Sequence, residues 1–167
     1  SFMYNQRDGF YTNEFNNTDF DKQNNFSGNY YLKFIANEKW SFNLNVKHNN
    51  NRNNGAFPMV NGVDEAFNNP FKLNQDATAK MIDNTFNSSL TASYAGKAFN
   101  FSSQTAYQSN HRYYNRPLDG DFSPIDGVTI INDYDGDWNN VKVWTQAFKI
   151  TSPAASSSPL KWTAGTY

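Results

Sequence analysis

The chain has 167 residues, about one domain's worth by length. Its 14 Lys+Arg and 15 Asp+Glu leave a formal net charge of −1, which argues against an electrostatic binder of nucleic acid. A mean hydropathy of −0.80 and the lack of any apolar run of about 18 residues exclude a bundle of transmembrane helices, and 17% aromatic residues fit poorly with disorder.

There is no Cys, so a disulfide scaffold, a thiolate metal site and a thiol nucleophile are excluded. Asn is the commonest residue, with 27 copies. Asn favours turns and is depleted in strands and helices, so the composition suggests strands joined by long polar loops. The chain opens at Ser1 with neither Met nor a signal pattern, which reads as a mature or partial chain.

Period-two alternation is the dominant pattern. It predicts strands over 1–7, 26–36, 40–49, 86–94, 99–109, 141–151 and 160–167. The first has Phe2 and Tyr4 on its apolar side. The second sets Phe26, Tyr30, Leu32 and Phe34 against Ser27, Asn29, Tyr31 and Lys33. The third is the cleanest: Trp40, Phe42, Leu44 and Val46 alternate with Ser41, Asn43, Asn45 and Lys47. Phe86, Leu90, Ala92 and Tyr94 share a face in the fourth, and Phe99, Phe101, Thr105 and Tyr107 in the fifth. Trp144, Phe148 and Ile150 oppose Thr145, Ala147 and Lys149 in the sixth; Leu160, Trp162 and Ala164 share a face in the last. A helical turn or two is expected only over 76–83.

The connections alternate in length. Tight links at 36–39 and 95–98 and a short Ser/Pro-rich link at 152–159 separate long polar loops over 8–25, 50–85 and 110–140. All long loops then fall at one end of an up-and-down sheet, and loops of that length are uncommon unless functional. Strands of about 9–11 residues, tilted by about 45°, match a bilayer core. Transmembrane barrels combine a dyad repeat with short turns at one end and long loops at the other. Aromatic residues near strand ends suit an interfacial girdle. The expected fold is therefore all-β: antiparallel up-and-down strands forming part of a large transmembrane β-barrel. About seven strands lie in this segment, which does not close alone. The lipid-facing and girdle positions are Trp40, Phe42, Leu44, Tyr94, Phe99, Phe101, Trp144, Phe148 and Trp162. A soluble β-sandwich that binds at a surface is the competing architecture.

Several segments resemble TonB-dependent outer-membrane receptors of the siderophore type. They are Arg7-Asp8-Gly9-Phe10-Tyr11-Thr12-Asn13, the strand 99–107, Leu118-Asp119-Gly120-Asp121-Phe122, the strand 144–152 and the strand 160–167, and they follow the family's order across the whole chain. Ala147 and Lys149 stand where the family often has Glu and Arg, so a lumenal ion pair is missing. Plug and TonB box have no counterpart here. The resemblance implies residence in the cell outer membrane and import of a scarce ligand such as an iron chelate. It implies as partners the membrane lipid, the remainder of the barrel and plug, and TonB through the missing N-terminal region. The same architecture importing a glycan, cobalamin or another organic nutrient is the alternative.

Arg52, Arg112, Tyr113, Tyr114 and Arg116 lie in the long loops, where Arg grips anions and Tyr offers a flat face with a polar tip. They are the candidate ligand contacts. Asp133, Asp135, Asp137 and Asn139 alternate as in calcium loops, but Gly136 sits at the fourth rather than the sixth position and Trp144 replaces the terminal Glu. A polar outer loop with Asp-Gly turns is the simpler reading of that segment. The segment 53–58 with Phe57, Pro58, Pro70 and Phe71 reads as a ligand-stacking lid or as packing between loops. His48 and His111 form no ligand set with carboxylates. No nucleophile, phosphate loop or acid/base pair is found, so neither enzyme activity nor a cofactor is expected.

Overall fold

A computed structural model describes residues 1–54, 67–76, 80–115, 137–153, 155 and 157–167. Phe67 and Asn68 are helical; the remaining regular elements are strands. They are β1 (Phe2–Arg7), β2 (Tyr11–Asn13), β3 (Thr18–Phe20), β4 (Lys22–Ile35), β5 (Trp40–Asn54), β6 (Lys72–Leu73), β7 (Lys80–Ala95), β8 (Asn100–Asn115), β9 (Asp137–Thr151) and β10 (Thr163–Thr166).

Seven strands form one antiparallel sheet in the order β1-β4-β5-β7-β8-β9-β10, up-and-down and open at both edges. All seven strands expected from alternation are present. The short links lie at one end. Asn37 Oδ1 accepts the backbone N–H groups of Lys39 and Trp40, each at 2.9 Å, and closes the β4–β5 turn. Gly96 N–H to Phe99 O at 3.0 Å closes the β7–β8 turn, and Ser152 N–H to Trp162 O at 2.9 Å opens the β9–β10 pair.

Five strands are longer than expected, at 14 to 16 residues. Each runs on into the polar stretch assigned to a loop. The segment expected to carry a helical turn instead starts β7 at Lys80, where residues 80–83 pair with 51–54 on one side and 112–115 on the other. A double ladder of backbone hydrogen bonds overrides a weak local helical preference.

The loop after β1 and the loop before β7 build a second, three-stranded sheet, β3-β2-β6. The side chains buried most deeply lie here and at the adjoining end of the large sheet: Phe20, Leu73, Asn13, Asp21, Gln75, Asn53 and Tyr114. Asn13 and Gln75 bond reciprocally, Asn13 Nδ2 to Gln75 O at 2.7 Å and Gln75 N–H to Asn13 Oδ1 at 3.0 Å. Asp21, at a φ of 57°, accepts Phe10 N–H at 2.7 Å and Tyr11 N–H at 3.2 Å on one oxygen and Arg7 Nη2 at 2.7 Å on the other. The Arg7 guanidinium lies 4.4 Å from the centroid of Phe10. A Cβ on Gly9 would sit 1.5 Å from Phe20 O, so only glycine fits there. The Arg7–Asn13 motif is thus accounted for locally: its Gly, aromatic and Asn each hold this small sheet together.

Candidate functional site

Antiparallel partners share a face, so the register sorts every side chain of the large sheet. One face carries five successive rows. From the short-turn end they are Trp40–Tyr94–Phe101–Ile150–Ala164; Phe34–Phe42–Ala92–Ser103–Phe148; Leu32–Leu44–Leu90–Thr105–Gln146; Tyr30–Val46–Ser88–Tyr107–Trp144; and Phe2–Gly28–His48–Phe86–Ser109–Lys142. Phe99 reaches the first row through Tyr94, ring to ring at 5.7 Å, and Trp162 follows it beside Ser152. Seven of the nine positions read as lipid-facing or girdle lie on this face by register, and Phe99 joins them through its ring contact with Tyr94; Trp162 lies just before β10, outside the paired strands.

This face is uncovered. Leu32 is 63% exposed, Phe34 59% and Trp144 71%, and among the described residues no second layer faces them. The two stacked layers that a sandwich requires do not occur there. Polar groups on the face satisfy one another: Thr105 Oγ1 donates to Gln146 Oε1 at 2.5 Å and Gln146 Nε2 to Ser103 Oγ at 2.9 Å. Gly28 is roofed by Tyr30 and His48, whose rings stack at 5.7 Å.

The apolar zone has two aromatic margins with an aliphatic middle. Trp40, Tyr94 and Phe99 line one margin, and Tyr107 and Trp144, 4.6 Å apart, with Phe86 and Phe26, line the other. The upper margin descends across the sheet. It stands at Phe26 on β4 and at Trp144 on β9, two rows (four residues) lower and four strands away. At about 3.3 Å per residue and 4.8 Å per strand, that slope inclines the strands to the zone by about 35°. The stretch Trp40–His48 is then about 22 Å tall along the zone's normal.

The opposite face is hydrophilic. Asn25 Nδ2 bonds Asn49 Oδ1 at 2.7 Å, Asn45 Nδ2 bonds Asn29 Oδ1 at 3.1 Å, and Tyr31 Oη donates to Asn43 Oδ1 at 2.7 Å. Ala147 and Lys149 lie on this face, as expected from their positions.

The candidate ligand contacts do not gather in one loop. Arg52 and Tyr113 are in strands on the apolar-zone side, above its upper margin; Arg112 and Tyr114 are on the hydrophilic side. Alternation forces adjacent Tyr113 and Tyr114 apart. Arg52 Nη1 donates to Asn84 Oδ1 at 2.6 Å and to Asn51 O at 2.9 Å. Arg112 grips Asp83 through Nη2 at 2.8 Å and Nε at 3.2 Å, and Asp83 also takes Asn110 Nδ2 at 3.5 Å. Tyr114 is 5% exposed, and burial pushes its phenol above the ordinary value. Arg116 lies outside the described residues.

The Arg112 side chain is half exposed, so its pairing with Asp83 contributes little to stability. A double-mutant cycle of Arg112→Ala and Asp83→Ala, read by urea unfolding, is expected to give a coupling under about 1 kcal/mol.

Of the calcium candidates, Asp133 and Asp135 lie outside the described residues, Asp137 begins β9, and Asn139 Nδ2 bonds Asn110 Oδ1 at 2.8 Å. Among the described residues no group of three His, Cys, Asp or Glu could hold a metal ion. Of the lid segment, Phe57 and Pro58 also fall outside the described residues. Phe71, at a φ of 69°, sets its ring edge-on to Tyr11 at 5.6 Å. Sequence reasoning missed Asp21, Asp83 and Gln75, whose partners are 10 to 62 residues away.

No protein-family model matches the chain, and no solved structure matches it.

Proposed function

We propose that this chain is a β-barrel segment of a TonB-dependent outer-membrane receptor that imports a ferric siderophore. The observation that carries the reading is the inclined apolar zone, aromatic at both margins and uncovered, on a single-layer sheet whose other face is hydrophilic. An apolar zone about 25 Å tall on strands tilted about 35–45° is what a barrel presents to lipid. The open edges of β1 and β10 leave backbone groups to be paired by the rest of the barrel, since lipid cannot satisfy them. The plug and the TonB contact belong to that remainder. The ordered resemblance of the Arg7–Asn13 segment and of the strands at 99–107, 144–152 and 160–167 supplies the receptor class.

The test is a growth panel on a strain deleted for the gene. Loss of growth on ferric chelates as sole iron source is expected, with restoration by the intact gene and impaired restoration by Arg112→Ala. Recovery of the protein in the aqueous fraction, or undiminished growth on every chelate, defeats the reading. The amide-rich hydrophilic face, where Asn25, Asn29, Asn43, Asn45 and Asn49 hydrogen-bond across strands, favours a second cargo: amides and phenols bond sugar hydroxyls. Lost growth on an oligosaccharide, with chelate growth intact, would select that alternative.

A further inference from the structure

At the short-turn end of the hydrophilic face lies a cavity of about 550 Å³. Its floor carries three serines side by side in one cross-strand row, Ile35–Ser41–Ser93–Ser102–Lys149. Their hydroxyls have no hydrogen-bond partner among the described residues. Lys149 ends the row on one side. Lys33 stands on the other side, one row higher on β4, and Lys39 enters from the β4–β5 turn. Against these three ammonium groups the lining holds one carboxylate, Glu38. None of the four charges has an ion-pair partner among the described residues.

The imbalance extends beyond the cavity. Five successive rows of this face, from the Ile35–Ser41 row up to the Ser27–Asn49 row, hold no carboxylate. The first one above them is Asp83, already paired with Arg112. Ammonium groups and hydroxyls are donors, so the complement of this floor is an anion. Lys33 and Lys149 stand four strands, or about 19 Å, apart. They cannot close on one phosphate or one carboxylate. They flank the serine row, and a ligand that engages both carries anionic groups on opposite sides. A volume of about 550 Å³ is that of a small-molecule site, which favours a compact molecule over an acidic polypeptide.

We propose that this cavity binds a small oligoanion, its outer anionic groups held by Lys33 and Lys149 and its centre resting on the hydroxyls of Ser93 and Ser102. The site itself needs only the geometry of the sheet. That its natural ligand is an anionic chelate in passage rests on the receptor reading above.

The test is equilibrium dialysis of the full-length protein in detergent against labelled trimesate, a rigid benzene ring bearing three diverging carboxylates. Wild type is expected to bind trimesate and to ignore its neutral trimethyl ester. Lys33→Gln/Lys149→Gln is expected to lower the affinity about 10-fold, roughly threefold for each exposed ion pair. Lys47→Gln/Lys142→Gln removes the same charge from outside the cavity and is expected to leave the affinity unchanged. Heat-modifiable gel mobility verifies that each variant is folded. Undiminished binding by the Lys33/Lys149 variant, or an equal drop in the control variant, overturns the proposal. So does competition by inorganic phosphate as strong as that by trimesate, which would mark a single-anion site. Binding of hexaglutamate in place of trimesate overturns it too, since the surface would then be a contact for acidic protein. A wild type that binds no trimesate, although deletion of its gene abolishes growth on ferric chelates, defeats this site alone. Trimesate binding by a protein whose deletion leaves that growth intact keeps the site and defeats the receptor reading.

Discussion

On the proposed membrane reading, Leu90→Arg is expected to abolish assembly of the protein in the membrane, while Ser89→Arg is expected to leave it intact. Leu90 lies in the aliphatic middle of the apolar zone, between Leu44 and Thr105, and is 47% exposed. If that exposure is to hydrocarbon, an arginine at mid-depth costs about 2–4 kcal/mol, enough to drain a marginal barrel from its folded state. Ser89 is the next residue on the same strand but faces the hydrophilic side, between Asn45 and Ala106. An arginine there stays in water and costs a few tenths of a kcal/mol. The measurement is heat-modifiable gel mobility together with the folded fraction in outer membranes. The comparison discriminates because a water-facing leucine predicts the opposite order: Leu90→Arg would then be neutral and improve solubility. That result would remove the basis for the membrane reading.

Asp21→Ala unravels the small sheet without unfolding the large one. The Asp21 side chain is 10% exposed and serves three donors: Phe10 N–H, Tyr11 N–H and Arg7. Truncation leaves two backbone donors and a part-buried cation without their acceptor, at a local cost of about 3 kcal/mol. Amide exchange over 8–21 is expected to accelerate by about two orders of magnitude, while residues 26–35 of β4 stay protected. Gly9→Ala is expected to act the same way, because its Cβ would coincide with Phe20 O. Exchange that accelerates equally along β4 would show that the two sheets fold as one cooperative unit.

The sequence announces these features unevenly, and the physical reason differs by region. Where one face is apolar and the other polar, alternation marks the strand, as in Trp40–Val46. Above the aromatic margin both faces turn polar, and nothing distinguishes His48–Asn54 from a loop although it pairs on both sides. The small sheet is hard to read from sequence because its strands are only two or three residues long, too short to show alternation, and its β2–β6 pairing is long-range: Asn13 meets Gln75 across 62 residues. From sequence alone the candidate ligand residues read as loop residues. Once β8 runs on to Asn115, strand geometry sends Arg112 and Tyr114 to one side and Tyr113 to the other.

The polar continuation of the strands has a mechanical consequence. From His48 to Asn54, β5 extends about 20 Å along its axis, or about 16 Å of height at the inferred tilt. The mouth of such a barrel stands on a hydrated palisade, cross-braced by amide and carboxylate rungs such as Arg52–Asn84 and Arg112–Asp83. Membranes differ in thickness by several ångströms. On the proposed membrane reading, a stalk of this height keeps the strand ends in water across that variation, so the surface they carry keeps its shape.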